Sequence, residues 1–446
     1  MKDGTRWLNS YSGWIFVVIF TTIPVMRLLM TSQADFSTMT SYGWFSLFGR
    51  ASSLMGITLF SINLILSTRH QLLEKFFYGL NKVYVAHHLI GGTSLIFLLV
   101  HPLLLSLRFI PSDWYQAAQL LIPSITEPID WPLNFGIIAL YGMIFLMVVT
   151  IFIKLHYELW LWTHKFLGLV FFLGVLHSFL IPSDISSDSF LGIYFLIVSS
   201  LGLCAYIYTT LMGTFIIRKY PYLVDSVVHV NQDVLEIRLK PIRHVIPYQA
   251  GQFVFIRFFQ DGIPTQQHPF SVSSAPDNGK NPLLTVTVKG LGDYTNILNN
   301  LSVDTEAEVE GSFGKFSYTR AKYTKQIWIA GGIGITPFLS MAQDLKDKTY
   351  EIALFYSVKT RNELVGIDTL NSIAQNKGLN FDVYPFIGDE QDGYISADYI
   401  VKTLGEIAER DIFICGPPGM MKALRQQFRS KGIANHLIHS EEFSID

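Results

Sequence analysis

The sequence predicts a membrane protein in which a six-helix transmembrane bundle is followed by an antiparallel β-barrel domain and a doubly wound α/β domain. Half of the 446 residues are hydrophobic, which is too apolar for an ordinary soluble protein of this length. The long apolar runs stop before Arg218 and Lys219. After that point short alternating segments appear first, and strand–turn–helix patterns follow. We therefore expect domains at residues 1–217, 218–320 and 321–446.

Six apolar runs fill the first domain, and each is near the ~20 residues that a membrane-spanning helix needs. They lie at residues 11–30, 44–66, 83–106, 133–153, 160–181 and 190–217. No small-residue cleavage site follows the first run, so we expect an uncleaved anchor rather than a signal peptide.

Lysine and arginine are concentrated in alternate loops, whereas the loops on the opposite side are acidic. The loop between spans two and three, for example, carries Arg69, Lys75 and Lys82. By the positive-inside rule both termini and the second half of the chain face the cytoplasm. We expect a multi-pass protein of the plasma membrane, in contact with the lipid bilayer. The net charge of -2 gives no basis for a nucleic-acid partner.

Spans three and five each carry histidines near both ends. His87 and His101 are fourteen residues apart in span three, and His164 and His177 are thirteen apart in span five. Ionisable residues inside a membrane are costly and usually functional. Because the two spans run in the same direction, the histidines form two level pairs, roughly 20 Å apart along the helices. Each pair could bind a haem through two imidazoles; hydrogen bonding to a neighbouring helix is the alternative.

The angular spacing of these histidines differs between the two spans. Fourteen residues at ~100° each fall about 40° short of whole turns, so His87 and His101 share a face. Thirteen residues differ from a whole number of turns by about 140°. Span five therefore needs a π-bulge, a tilt or an unwound turn near Gly168 or Gly174 to bring both of its histidines to one face. His88 is an alternative ligand on span three, and we prefer His87.

Arg50, in "LFGRASSLMG", is a second charged residue in an apolar setting, at the outer part of span two. Its guanidinium could extend to the membrane surface, pair with a haem propionate or take part in the reaction.

The second half of the chain contains two patterns. Between 222 and 320, "VLEIRLK", "GQFVFIRF", "LLTVTVKG" and "EAEVEG" alternate like the strands of an antiparallel barrel. From about 325, "QIWIAGGIGITPFLSMAQDL" and "YEIALFYS" read as strand, glycine-rich turn, helix and strand. Such a turn lets a pyrophosphate approach the N–H groups at a helix start. A second turn, "DIFICGPPGMMKAL", puts Cys415 at the carboxyl end of a strand, where ligands bind in these sheets.

Five motifs then occur in a fixed order behind the six spans: "HPFSVSSAP", "KGLGDYT", "VEGSFGKF", "AGGIGITPF" and "CGPPGMMKAL". With these motifs in this order behind six spans, the chain resembles the NADPH oxidase and ferric reductase superfamily over nearly its whole length. The resemblance implies FAD on the barrel, NADPH or NADH on the α/β domain, and two b-type haems in the membrane.

The resemblance also assigns residues to the flavin. The flavin motif comprises His268, Pro269, Phe270 and Ser271, with the hydroxyl of Ser271 placed for the isoalloxazine. The wider ferredoxin-NADP reductase group has an arginine where this chain has its histidine. Lys289 and Thr295 resemble residues that hold the FAD pyrophosphate. Phe443 matches an aromatic residue that covers the flavin, although three residues follow it here.

The same resemblance assigns the nucleotide site. The dinucleotide loop comprises Gly331, Gly332, Gly334, Thr336 and Pro337. The element beside the nicotinamide ring comprises Cys415, Gly416 and Pro417. After the second strand of this domain, Lys359 and Arg361 could meet a 2′-phosphate or form a solvated charge pair, so NADPH and NADH both stay open.

The resemblance implies a path from NAD(P)H through FAD, an inner haem and an outer haem to an acceptor on the opposite face. Flavin is needed because a hydride carries two electrons and haem iron takes one. Oxidases of this family have an arginine in span two, which Arg50 resembles, so we favour NADPH-dependent superoxide formation from oxygen. Reduction of a ferric chelate is the alternative, and an electron conduit to a membrane partner or quinone is a third. No obligatory protein partner is evident.

Overall fold

The computed structural model describes residues 2–32, 37, 39–77, 79–125, 129–155, 157–212, 218–276, 282–375, 378–391 and 393–441. The chain divides into two compact units, Met1–Ile216 and Ile217–Asp446.

The first unit is helical. Its helices are α1 (Lys2–Thr31), α2 (Ser41–Leu66), α3 (Gln71–Phe77), α4 (Leu80–Leu107), α5 (Trp114–Gln119), α6 (Trp131–Phe152), α7 (Tyr157–Lys165), α8 (Leu167–Leu180), α9 (Asp184–Ser187) and α10 (Ser189–Ile207). Among the described residues, six helical stretches are long and apolar enough to cross a membrane. They confirm the six predicted spans. A π-helical turn, Tyr208–Met212, follows α10, and residues 213–217 of predicted span six lie outside the described residues.

Polar side chains start several of these helices. Thr40, Asp130 and Asp188 precede α2, α6 and α10, and each accepts a hydrogen bond from a backbone N–H of the first turn. These bonds satisfy donors that have no partner within the helix.

Helix α2 is the centre of the bundle. Of its most apolar 18-residue stretch, 61% is buried inside the protein, against 17–33% for the corresponding stretches of the other spans. Glycines allow its close packing. A Cβ atom on Gly56 would come within 2.7 Å of the Leu98 side chain, and one on Gly202 within 2.5 Å of Ser61 Oγ. Small residues have this role in membrane helix packing generally.

The second unit begins with an antiparallel sheet. Its strands are β1 (Lys219–His229), β2 (Val234–Pro241), β3 (Phe253–Phe259), β4 (His268–Ser271), β5 (Leu284–Lys289) and β6 (Glu306–Phe313), in the order β4-β3-β6-β1-β2-β5. A bridge between Val272 and Val286 links the segment after edge strand β4 to edge strand β5. The sheet therefore curls towards a barrel. The short helix α11 (Asp293–Ile297) follows β5.

The unit ends with a parallel sheet. Its strands are β7 (Lys325–Gly331), β8 (Glu351–Val358), β9 (Asn380–Ile387), β10 (Asp411–Cys415) and β11 (Ile438–Glu441), in the order β11-β10-β7-β8-β9. Its helices are α12 (Thr336–Asp344), α13 (Ile367–Ala374), α14 (Ala397–Leu404) and α15 (Pro418–Ser430). The strand order reverses between β7 and β10, and such a switch point is where these sheets bind ligands.

Candidate functional site

The histidines at one end of spans three and five face each other. The ring centroids of His87 and His164 are 6.1 Å apart. His87 Nδ1 bonds to the backbone oxygen of Asn63 at 3.2 Å. Because a carbonyl oxygen can only accept, Nδ1 carries the proton and Nε2 keeps a lone pair for a metal. His88 is exposed and bonds to Tyr84 of its own helix, so the geometry favours His87 as the ligand.

The second pair lies towards the other end of the two spans. His101 and His177 line one cavity of about 700 Å³ in the helical unit. Nδ1 of His101 donates to the oxygen of Gly49, and Nδ1 of His177 donates to the oxygen of Pro132, both at 2.8 Å. Both Nε2 atoms are therefore available as ligands.

Span five is interrupted between its two histidines. Helix α7 ends at Lys165 and α8 begins at Leu167, with a turn at Phe166. This break lies close to Gly168, as the thirteen-residue spacing predicts. A Cβ atom on Gly168 would come within 2.2 Å of the Tyr206 ring, so a glycine is required where α8 passes close to α10.

The lining of the cavity fits a haem. Its surface is mainly apolar, and Arg50 and Arg108 also line it. The Nε atom of each arginine is buried without a hydrogen-bond partner among the described residues, and each could pair with a haem carboxylate. A Cβ atom on Gly174, another lining residue, would meet no atom within 4 Å. Within the described chain no cluster of three or more metal-binding side chains occurs, and a haem needs only two axial imidazoles.

Arg50 is paired in the structure. Its Nη1 atom donates to Asp184 Oδ1 at 2.8 Å, and both residues line the cavity. Gly49, which precedes Arg50 directly, supplies the carbonyl that orients His101. The predicted arginine therefore lines the same cavity as His101 and His177, and the carboxylate that binds it was not predicted.

The flavin motif lies on β4, hydrogen-bonded to β3 with Ser271 opposite Phe253. The ring of His268 stacks on Tyr294, with centroids 3.5 Å apart and planes at 20°. Burial lowers the pKa of His268 to about 4 and raises the pKa of Tyr294 to about 12, so both are neutral at pH 7. His268 Nε2 and Tyr294 Oη are buried without a partner among the described residues. Buried polar atoms that lack a partner are suited to hydrogen-bond the polar edge of a flavin ring system.

Lys289 and Thr295 flank the turn between β5 and α11. Thr295 Oγ1 accepts the backbone N–H groups of Leu291 and Gly292, both at 3.0 Å. Lys289 Nζ is 3.5 Å from Glu363 Oε2, in the turn after β8. Thr295 therefore fixes the shape of the turn, while Lys289 contacts the nucleotide part of the unit.

The two predicted nucleotide turns are in contact. A Cβ atom on Gly334 would lie 2.4 Å from the oxygen of Cys415, and one on Gly416 would lie 3.0 Å from Gly331 Cα. Gly332 adopts a φ of +53° beside open space, a conformation that favours glycine. Thr336 and Pro337 begin α12 directly afterwards. Glycines are therefore needed both for this close approach and for the turn.

Cys415 is fully buried at the end of β10, where it pairs across the sheet with Glu441 of β11. Burial and the Glu441 carboxylate raise the pKa of its thiol, so the thiol is protonated at neutral pH. Glu441 was not predicted, although Phe443, two residues further on, is predicted to cover the flavin. Phe443 lies outside the described residues.

Arg361 is also held by a carboxylate. Its Nε and Nη2 atoms donate to the two oxygens of Glu390 at 2.6 and 2.8 Å. Lys359 is exposed at the end of β8. The 2′-phosphate assignment stays a prediction, and Arg361 would exchange Glu390 for the phosphate.

Fold and site together define a multi-pass membrane oxidoreductase with FAD- and NAD(P)-binding domains. Three family models match in order: ferric reductase like transmembrane component at residues 52–175, oxidoreductase FAD-binding domain at 222–318 and oxidoreductase NAD-binding domain at 328–426. These three domains in this order place the chain in the NADPH oxidase and ferric reductase superfamily.

Similar proteins include reductase components. The glycine betaine monooxygenase reductase subunit of Chromohalobacter salexigens is 28% identical over 209 residues, which are 44% of this chain and 56% of that protein. The 2-halobenzoate 1,2-dioxygenase electron transfer component of Burkholderia cepacia is 26% identical over 213 residues, 45% of this chain and 60% of that protein. The chain thus spans little more than half the length of these relatives. A flavohemoglobin structure from Malassezia yamatoensis is 18% identical with a TM-score of 0.50, covering 95% of this chain and 99% of that one; this likeness concerns the fold alone.

Proposed function

We propose that this chain transfers electrons from cytoplasmic NADPH, through FAD and two bis-histidine haems, to molecular oxygen on the opposite face of the plasma membrane, forming superoxide. The observation that carries the proposal is that spans three and five bring their histidines together at both ends, with facing rings at one end and one shared cavity at the other. We assign the haem domain to residues 1–217, the FAD domain to 218–320 and the NAD(P)H domain to 321–446.

The cofactors supply the redox chemistry when bound, because FAD accepts a hydride and releases single electrons, and haem iron carries one electron at a time. The chain's part is to hold and orient them. His87 with His164, and His101 with His177, provide two imidazole ligands at each of two depths. Haems held by these histidine pairs would pass electrons to oxygen without binding it.

On the cytoplasmic side, the residues have binding and orienting roles. We assign His268, Tyr294 and Ser271 to the flavin ring, and Lys289 to its pyrophosphate. The contacting turns at Gly331–Gly334 and Cys415–Pro417 would bring the nicotinamide to the flavin at the switch point of the sheet. Cys415 stays a thiol at neutral pH, so it does not act as a nucleophile, and we assign it a positioning role beside the nicotinamide. Phe443 would cover the flavin.

Arg50 is the residue that we assign to the acceptor. It lines the cavity of the outer histidine pair, and its guanidinium carries N–H groups beyond the one that binds Asp184. A cation at this position stabilises negative charge that develops on a reduced oxygen molecule.

Reduction of a ferric chelate is the second candidate function. It is supported by the match of residues 52–175 to the ferric reductase like transmembrane component. The same electron path would serve both acceptors, so only the last step differs.

The test is NADPH-driven reduction of cytochrome c by the purified full chain with FAD, in air, with and without superoxide dismutase. We expect dismutase to abolish most of the signal. A rate that ignores dismutase, or that appears only after a ferric chelate is added, would replace the oxidase with the ferric reductase.

A further inference from the structure

The cavity lined by His101 and His177, here called the outer cavity, is also lined by an ion pair whose acidic partner has no role in the electron path. Asp184 begins α9 and binds Arg50 at 2.8 Å, with side chains that are 22% and 38% exposed respectively. Among the described residues, the charged side chains that line this cavity are Arg50, Arg108 and Asp184. The carboxylate therefore lowers the net positive charge at the point where an acceptor would approach.

Charge at the mouth of a cleft selects among ligands of different charge. A cleft of one sign concentrates ions of the opposite sign and raises their association rates. Dioxygen is neutral and small, whereas many ferric chelates are anions. The Asp184 carboxylate makes the cavity more negative by one charge than it would be without it, so it weakens the attraction of such anions.

We propose that Asp184 is a specificity-determining residue for the electron acceptor. Its carboxylate adds one negative charge beside Arg50, which disfavours anionic acceptors more than it disfavours a small neutral acceptor. This inference rests on the proposed function, because it takes the outer cavity as the place where electrons leave the chain.

Asp188 provides a matched control on the same segment. Its carboxylate binds Arg27 at 2.9 Å, in a second ion pair with an arginine of a spanning helix. Asp188 is not among the residues that line the outer cavity. It accepts the Leu191 N–H at the start of α10, and asparagine keeps such a cap. Asp188→Asn therefore removes the same charge four residues away.

The experiment uses the full chain loaded with FAD and haem, reduced anaerobically with stoichiometric dithionite. Rapid mixing with ferricyanide, an anion, or hexaammineruthenium(III), a cation, is followed by haem absorbance. In each case one electron leaves ferrous haem and the acceptor gains it, and no bond forms or breaks. Oxygen is the neutral third acceptor. These rates do not require NADPH.

For Asp184→Asn we expect the rate with ferricyanide to rise about 3- to 10-fold at low ionic strength, and the rate with hexaammineruthenium(III) to fall comparably. The rate with oxygen should change less than either of these rates, because dioxygen carries no charge as it approaches, and the differences should shrink in high salt. The midpoint potential of the outer haem should rise, because loss of a negative charge favours the reduced iron. Asp184→Glu should behave like the parent protein.

An unchanged ratio of the ferricyanide and hexaammineruthenium(III) rates in Asp184→Asn, or an equal shift in Asp188→Asn, would overturn the proposal. If Asp184→Asn does not load haem, Asp184→Ser is measured in the same way with the same criteria. A parent protein that forms no superoxide but shows the predicted shift would remove the oxidase assignment and leave the role of Asp184 intact. Superoxide formation without the predicted shift would remove the role of Asp184 and leave the oxidase assignment intact.

Discussion

At the scale of single residues, backbone carbonyls decide which histidine nitrogens could bind a metal. In three of the four paired histidines, Nδ1 bonds to a carbonyl that lies 24 to 52 residues away in sequence. These bonds fix both the tautomer and the ring orientation. The sequence predicts the histidines because their spacing is local, but it does not predict the carbonyls because those come from other parts of the chain.

The choice between adjacent histidines in span three gives a first prediction. We expect His87→Ala to lose one haem per chain and His88→Ala to keep both, because His87 faces His164 and His88 is exposed. His101→Ala should lose only the outer haem. Haem is counted per chain after extraction into pyridine. One haem in the parent protein, or loss of haem in His88→Ala, would contradict the assignment.

The stacked pair of His268 and Tyr294 gives a prediction on pH. In flavin-free protein, burial lowers the pKa of His268 from its ordinary value of 6.5 to about 4. Between these values the unfolded chain binds a proton that the folded chain does not, so stability falls as pH falls from 6.5 to 4. The loss of thermal stability from pH 7 to pH 5 should therefore be smaller in His268→Asn than in the parent. It is measured by tryptophan fluorescence. Exposed His436→Asn is the control, and an equal effect there would refute the prediction.

At the scale of elements, the packing of helices against each other determines structural details that sequence periodicity does not specify. Thirteen residues between the histidines of span five require a break in the helix, and the sequence predicts its presence near Gly168 or Gly174. Its position at Phe166 depends on how α8 packs against α10, where Tyr206 approaches Gly168. In the soluble unit, strand patterns predict both sheets, whereas the ion pairs of Lys289 and Arg361 depend on turns that are distant in sequence.

The contact between α6 and α8 gives a third prediction. A Cβ atom on Gly136 would lie 2.6 Å from His177 Nδ1, and histidine orientation at this point depends on the bond to Pro132. We expect Gly136→Ala to displace the ring and to reduce occupancy of the outer haem at least about 2-fold, as loss of an orienting contact weakens metal sites. The haem content is compared with that of Gly142→Ala, which touches only Val170 at 3.2 Å. Equal haem content in the two variants would show that Gly136 has no such role.

At the scale of the whole molecule, the sequence predicts the order of domains well, because span length and strand alternation are local properties. The six spans and the two kinds of sheet are confirmed. The carboxylates that accompany the predicted cations are not predicted, since Asp184 and Glu390 lie 134 and 29 residues from their partners. A charged residue in a motif therefore indicates a site, while its available charge depends on the fold.

The proposed electron path has an order, and that order gives the last prediction. Electrons should reach the pair of His87 and His164 before the pair of His101 and His177. We therefore expect NADPH to reduce the haem that remains in His101→Ala under anaerobic conditions, with superoxide formation reduced at least about 10-fold. In His87→Ala, the remaining outer haem should stay oxidised with NADPH and be reduced by dithionite. Absorbance spectra distinguish these cases, and the dithionite spectrum shows that each remaining haem is redox-active. Rapid reduction of the outer haem by NADPH in His87→Ala would mean that electrons reach it without the inner site, and the series arrangement would be wrong.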